Sequence, residues 1–216
     1  MAVGWATGAL GGGAIESFGE RRAARAWSTM KVPVIVASIT SGRADWHAVE
    51  AAITRSDNGA ALRLWSRLDD GPAEVEAVLR QAGDSETVLE REPDPRGWSP
   101  FGRTVWTLEA GATFYRALAR GELVDEVDTR RLLDAMGRIA PEQRWGLGGI
   151  PGVRLKGGWG PSEEPGGGYE VIQFGIAGES VLALSAVAAH FESAQELASK
   201  HVPQHQNSSQ LPAAGD

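Results

Sequence analysis

Apolar and polar positions along the chain fall into two textures, sheet-like at both ends and helical in the middle. Residues 3–10 and 14–18 are short apolar-rich runs parted by Gly11-Gly12-Gly13, a spacing that predicts a β-hairpin. From Ser28 onward, Met30, Val32, Val34, Ile35, Val36 and Ile39 form a stretch too continuous for a surface helix. It suits a buried helix, and its β-branched residues suit a buried strand equally well. Helical periodicity then runs over 47–54, 58–68, 73–81, 108–119 and 129–139. The texture changes at the glycine-rich segment 146–160, after which 169–177 and 180–187 read as strands and 191–201 as a last helix.

Strands at both ends enclosing a helical middle predict an α/β chain of the α+β type. One antiparallel sheet is drawn from both ends (about 1–20 and 150–200) and packs on helices, with a helical lobe (about 28–140) inserted between. A single domain over 1–202 is expected, with 203–216, rich in Gln, Asn, Ser, Pro and Ala, as a flexible tail.

Composition narrows the function classes. A 216-residue chain with 42% hydrophobic and 23% charged residues can bury one sizeable core. A net charge of −7 disfavours nucleic acid as a partner, and no apolar run is long enough to cross a membrane as a helix. Zero cysteines remove thiol nucleophiles and thiolate metal sites. His47, His190, His201 and His205 show no metal-ligand spacing. Neither a metal nor an organic cofactor is expected. Met1–Trp5 carries no basic or apolar leader, so the chain is read either as cytoplasmic or as an exported protein whose leader is missing. Oligomeric state is not legible.

Three short motifs carry the candidate chemistry: Ser28-Thr29-Met30-Lys31 (S-x-x-K), Ser56-Asp57-Asn58 (S-D-N), and Lys156-Gly157-Gly158 where K-T-G would stand. S-x-x-K alone is common by chance; the ordered trio is not. Ser28 is expected at the start of the apolar helix, where free N–H groups and the dipole favour developing negative charge. Lys31, three residues on, rises from the same face within reach of the Ser28 hydroxyl, and burial would lower its pKa. Ser56-Asp57-Asn58 falls in a turn between two helical patterns. Ser56 could relay a proton and Asn58 hold a substrate amide. Lys156 is read as ending a strand-like run, followed by glycines that admit a substrate backbone. The plainer readings are an N-cap at Ser28, a helix cap at Asp57-Asn58 and a bulge at the glycines.

At these residues the chain resembles the class A β-lactamase and penicillin-binding-protein superfamily. The segments Ala26-Trp27-Ser28-Thr29-Met30-Lys31-Val32-Pro33 and Ala52-Ile53-Thr54-Arg55-Ser56-Asp57-Asn58 are similar to those of actinobacterial β-lactamase-related serine hydrolases. The resemblance implies a β-lactamase/transpeptidase-like fold and a Ser28 acyl-enzyme formed from an amide, β-lactam or ester. It implies an oxyanion site at the backbone N–H groups of Ser28 and Trp159, and a small-molecule or peptide substrate. It also implies a deacylating carboxylate near Glu92-Pro93, with Glu90 or Asp94 as alternatives.

Three departures stand out. Only 28 positions separate Ser28 from Ser56, which shortens the lobe. Gly157 lacks the hydroxyl of K-T-G, leaving Lys156, with Arg144 or Arg154, for a substrate carboxylate. Trp159 is expected to put an indole beside the acyl pocket. They predict a poor β-lactamase, or a degenerate binding or scaffold protein on the same fold.

Overall fold

The computed structural model describes residues 1–163 and 166–202; the expected tail at 203–216 lies outside them. In chain order the elements are β1 (Ala2–Ala9), β2 (Glu16–Gly19), β3 (Ala23–Arg25), a 3-10 turn (Trp27–Met30), α1 (Lys31–Thr40), α2 (Trp46–Thr54), α3 (Asn58–Trp65), α4 (Gly71–Gln81), α5 (Pro100–Arg103), β4 (Val105–Thr107), α6 (Leu108–Ala119), α7 (Glu126–Gly137), β5 (Arg154–Pro161), β6 (Tyr169–Ala177), β7 (Ser180–Ala188) and α8 (Phe191–Lys200).

Five strands form one antiparallel sheet in the order β2-β1-β7-β6-β5, so the two chain ends meet inside it. β1 is held between its hairpin partner β2 and the late strand β7. β5 is an edge of the sheet, with one side free to meet the helical lobe. Alternation along the strands separates two cores. Ile172, Phe174, Ile176, Val181 and Ala183 face the helical lobe. Val171, Leu182, Leu184 and Ala186 face α8, where they meet Ala194 and Ala198. With both faces covered, β6 and β7 are buried along nearly their whole length. Gly111 lets α6 lie directly on the Phe174 ring, because a Cβ there would enter the ring.

The apolar stretch after Ser28 is a helix: α1 is buried from Lys31 to Ser38 and runs through the centre of the lobe. Its β-branched residues lose side-chain freedom there, a cost offset by burial on all sides. Asp45, Asp57, Asp70, Thr107 and Asp125 cap the following helices by accepting backbone N–H bonds, which fixes where each begins. The short ladder of β3 with β4 was not expected, and it ties the approach to Ser28 to the start of α6. Lys156 does not end a strand. It stands early in β5, which continues through the glycines to Pro161.

Candidate active site

Ser28 sits in the 3-10 turn that feeds α1, one residue after Trp27, whose backbone is left-handed (φ 46). That conformation costs a non-glycine residue about 1–3 kcal/mol and needs bracing. The Trp27 indole Nε1 donates to Glu170 Oε1 at 2.8 Å, and Glu170 is a buried carboxylate paired with Arg21. Below the turn, the Tyr115 hydroxyl of α6 donates to the Thr29 carbonyl at 3.1 Å. On its other side the turn lies against the β5 edge. A Cβ at Gly158 would come within 2.8 Å of the Ser28 nitrogen and of the Ala26 oxygen, and one at Gly160 would enter the Trp27 ring.

The S-D-N turn lies between α2 and α3. Asp57 is the α3 cap, accepting from Ala60 N at 2.7 Å; that backbone bond is the main cause holding its carboxyl below the usual range. Ser56 is left-handed (φ 54). Its carbonyl and hydroxyl both accept from Lys31 Nζ, at 2.5 and 3.2 Å, and Asn58 Oδ1 accepts the third bond at 2.7 Å. Lys156 Nζ donates to the same Ser56 Oγ at 2.9 Å and to the Gly157 carbonyl at 2.8 Å. One hydroxyl therefore bridges two lysines. Accepting from both, it keeps its own proton to donate.

Burial shapes both amines. Lys31 is lowered to about 8 by desolvation, partly opposed by the Asp57 charge. Lys156, fully buried, is held well below the ordinary lysine value by desolvation and then by repulsion from Lys31. No hydrogen bond joins Lys31 to the Ser28 hydroxyl among the described residues, contrary to the spacing-based expectation. The three N–H directions of Lys31 are taken by the S-D-N turn, which supplies a carbonyl, an amide oxygen and a hydroxyl.

Ser28, Lys31, Ser56 and Asn58 converge on one cleft of about 500 Å³, walled by Trp27, Trp98, Phe101, Leu62, Tyr169 and the Trp159–Pro161 end of β5. The S-x-x-K turn, the S-D-N turn and the K-G-G strand edge meet at this cleft, and the site can be compared with known proteins. A family model described as the Beta-lactamase enzyme family matches residues 44–149. The fold resembles an ancestral class A β-lactamase (TM-score 0.69, 21% identity, covering 93% of this chain and 91% of that one). It also resembles a β-lactamase from Xanthomonas campestris pv. campestris (0.69, 20%, 93% and 88%) and a protein described as PBP-A (0.69, 22%, 92% and 86%). No curated protein matches the sequence. Residues 44–149 thus match the Beta-lactamase enzyme family, and the fold is that of class A β-lactamases and PBP-like proteins.

Three expectations need correction. Glu92 is exposed and does not line the cleft; its backbone carbonyl accepts from Arg103. The alternatives are engaged elsewhere. Asp94 is paired with Arg96 and Arg103, whose charges and hydrogen bonds lower its pKa, and Glu90 faces Arg103. No Asp or Glu lines the cleft among the described residues. Arg144 and Arg154 open onto a separate surface depression beside α7, with Asp134 and Arg138, so neither can hold a ligand in this cleft. Lys156 is buried and turned onto Ser56 and Gly157, unavailable to a substrate carboxylate.

Trp159 lines the cleft, as expected, while strand alternation seats its ring on the α8 face, edge-on to Trp145 (6.5 Å) and near Phe191 (5.7 Å). Gly157 shares that face; a Cβ there would touch Trp145 Cζ2 at 3.5 Å and Gln173 Cγ at 3.6 Å. Gly158, by contrast, admits the protein's own backbone at the Ser28 turn. Ser99, Phe101 and Tyr169 were missed as cleft residues, and Trp27 and Trp98 were not singled out among the tryptophans. Ser99 before Pro100 is a legible helix-start signal for α5, which carries Phe101 to the site, while Trp98 directly precedes the Ser99 cap.

Proposed function

We propose that this protein is a serine acyl-enzyme catalyst, a hydrolase or acyl-transferase with Ser28 as nucleophile. The observation that carries the reading is the Ser56 hydroxyl, 3.2 Å from Lys31 Nζ and 2.9 Å from Lys156 Nζ, in the cleft that Ser28 lines. Ser28 Oγ attacks the carbonyl carbon of an amide, β-lactam or ester and gives its proton to neutral Lys31. The oxyanion is stabilised by the backbone N–H groups of Ser28 and Trp159. As the carbon–nitrogen or carbon–oxygen bond breaks, the leaving atom takes the Ser56 proton, and Ser56 is reprotonated from Lys31. The proton lost by Ser28 thus ends on the leaving group. Asn58 positions an acyl amide once Lys31 turns toward Ser28, and Lys156 keeps the Ser56 hydroxyl oriented. The second half-reaction passes the acyl group to water or to an amine.

The absence of a carboxylate among the described cleft residues, with Glu92 exposed, supports slow attack by water and hence poor β-lactam turnover. It equally favours a second reading, a binding protein on the same fold that turns over nothing. Covalent labelling separates the two. An alkyl fluorophosphonate should add one adduct to the wild-type chain by intact mass and none to Ser28→Ala. Wild-type chain that stays unlabelled overturns the nucleophile assignment and leaves the binding reading. With a labelled enzyme, hydrolysis of a chromogenic cephalosporin should be weak beside that of a nitrophenyl ester. Cephalosporin kcat/KM on the order of 10⁷ M⁻¹s⁻¹ would overturn the poor-lactamase part.

A further inference from the structure

The β5 edge orders the cleft along one axis. At Lys156 it touches Ser56, the proposed proton donor to the leaving group. Two residues on, Gly158 abuts the Ser28 nitrogen, and two further on Gly160 abuts the Trp27 ring. At about 3.3 Å per strand residue, these three stations follow one another at intervals of about 7 Å. The leaving group must lie toward Ser56, so the acyl group that stays on Ser28 must lie toward Gly160. That end is aromatic.

Trp27 and Trp98 meet there edge-to-face, 5.1 Å between centroids at 75°. Each is held from behind. Trp27 is tied by its indole N–H to the buried Glu170. Trp98 is covered by the Arg96 guanidinium, 3.8 Å from its centroid, and Arg96 is itself fixed by Asp94 and Glu163. Across the cleft, Leu62 remains 44% exposed although it stands one helical turn from Asn58 on the same face of α3. An apolar side chain left open against two immobilised indoles is an unfilled hydrophobic surface. Among the described residues no arginine lines this cleft, and the Lys156 amine is turned onto Ser56, so no cation of the lining selects a charged acyl group at this end.

We propose that the cleft selects acyl donors with a neutral, flat aromatic acyl group, seated on the wall of Trp27 and Trp98 and closed by Leu62. The substrate class is an aryl or arylalkyl ester or amide. This deepens the acyl-enzyme reading and rests on it for orientation, but its test needs no turnover. In the Ser28→Ala chain, binding of N-phenylacetylglycinamide and N-acetylglycinamide is measured by tryptophan fluorescence, confirmed by calorimetry. The phenylacetyl compound should bind at least about tenfold tighter, the gain from burying one ring on aromatic surface. The preference should fall to below about threefold when Trp98→Ala or Leu62→Asn is added. Leu62→Asn changes an exposed position, so it remains informative if Trp98→Ala does not fold. Equal affinity for the two compounds, or a preference that survives both substitutions, overturns the proposal. Loss in either folded variant supports it. Failure of the nucleophile reading would show separately, as wild-type chain without a fluorophosphonate adduct.

Discussion

Gly158 and Ser28 stand so close that the β5 edge and the Ser28 turn share one surface: a methyl group on Gly158 would lie 2.8 Å from the Ser28 backbone nitrogen. That nitrogen is the first of the two proposed oxyanion donors. Gly158→Ala is expected to push the turn away from β5 and to slow fluorophosphonate labelling about 100- to 1,000-fold, the usual effect of losing one such donor. Circular dichroism would show the fold retained. Unchanged labelling would mean that the oxyanion does not form at this seam.

Ser28 and Lys31 act as a unit in the proposed mechanism, so their substitutions should not add. Ser28→Ala should abolish esterase activity. Lys31→Ala should cost nearly as much, and the double variant no more than either. The check is residual nitrophenyl ester hydrolysis in the three chains; independent, multiplicative losses would separate the two residues.

Burial lowers Lys31 to about 8, which fixes the sign of two pH effects. Only the neutral amine can take the Ser28 proton, so the acylation rate should rise about tenfold per pH unit below about pH 8 and level off above it. Stability should also rise with pH between about 8 and 10.5, because there the unfolded chain holds a proton that the folded chain has released. Lys156, lowered in the same sense, adds to the trend. Labelling rates and urea midpoints across this range test both; a midpoint falling with pH would contradict the buried-amine account.

With no carboxylate lining the cleft among the described residues, the acyl-enzyme should persist. Mixing with a nitrophenyl ester should give a burst of about one equivalent, with the adduct visible by intact mass over minutes. Glu92→Gln, at an exposed position off the cleft, should leave the decay of that adduct within about twofold of wild type. A tenfold slower decay would restore Glu92 as the water-activating base.

Glu170 braces the left-handed Trp27 from a buried position and is paired with Arg21. Glu170→Ala leaves that arginine without its carboxylate, a change that typically costs about 3–5 kcal/mol. The melting temperature should drop, and labelling of the remaining folded chain should slow because Trp27 loses its acceptor. Trp27→Phe, which keeps the Arg21–Glu170 pair, should slow labelling with a smaller loss of stability.

Much of this was legible because the decisive signals are local. The run 169–177 alternates against two faces and stops at Gly178, and the strand has those bounds. The helix over 108–119 is set by its Thr107 cap and apolar spacing. Ser28, Lys31, Ser56 and Asn58 are short-range motif residues, and they meet. The errors arise where direction depends on distant partners. The acidic loop around Glu92 reads as a source of a carboxylate, but Arg96 and Arg103, placed by tertiary structure, decide where its carboxylates go. Lys31 was assigned to Ser28 by spacing, whereas the S-D-N turn offers it three acceptors. The ring neighbours of Trp159 were not read, although strand parity sets its side chain on the face opposite that of Lys156.

The seating of Ala2–Ala9 against Ser180–Ala188 has a consequence for biogenesis. During synthesis β1 emerges first, yet its partner on one side is among the last strands to leave the ribosome. Helices α1 to α7 can condense early through short-range contacts, whereas the sheet closes only across nearly the full length of the chain. The turn bearing Ser28 takes its shape from Gly158 and Gly160 of β5 and from Glu170 of β6, so the nascent chain carries an unformed Ser28 turn until those strands arrive. The reactivity proposed for Ser28 would thereby be withheld during translation, and a chain truncated before β5 should not label at Ser28 even with its helical lobe folded.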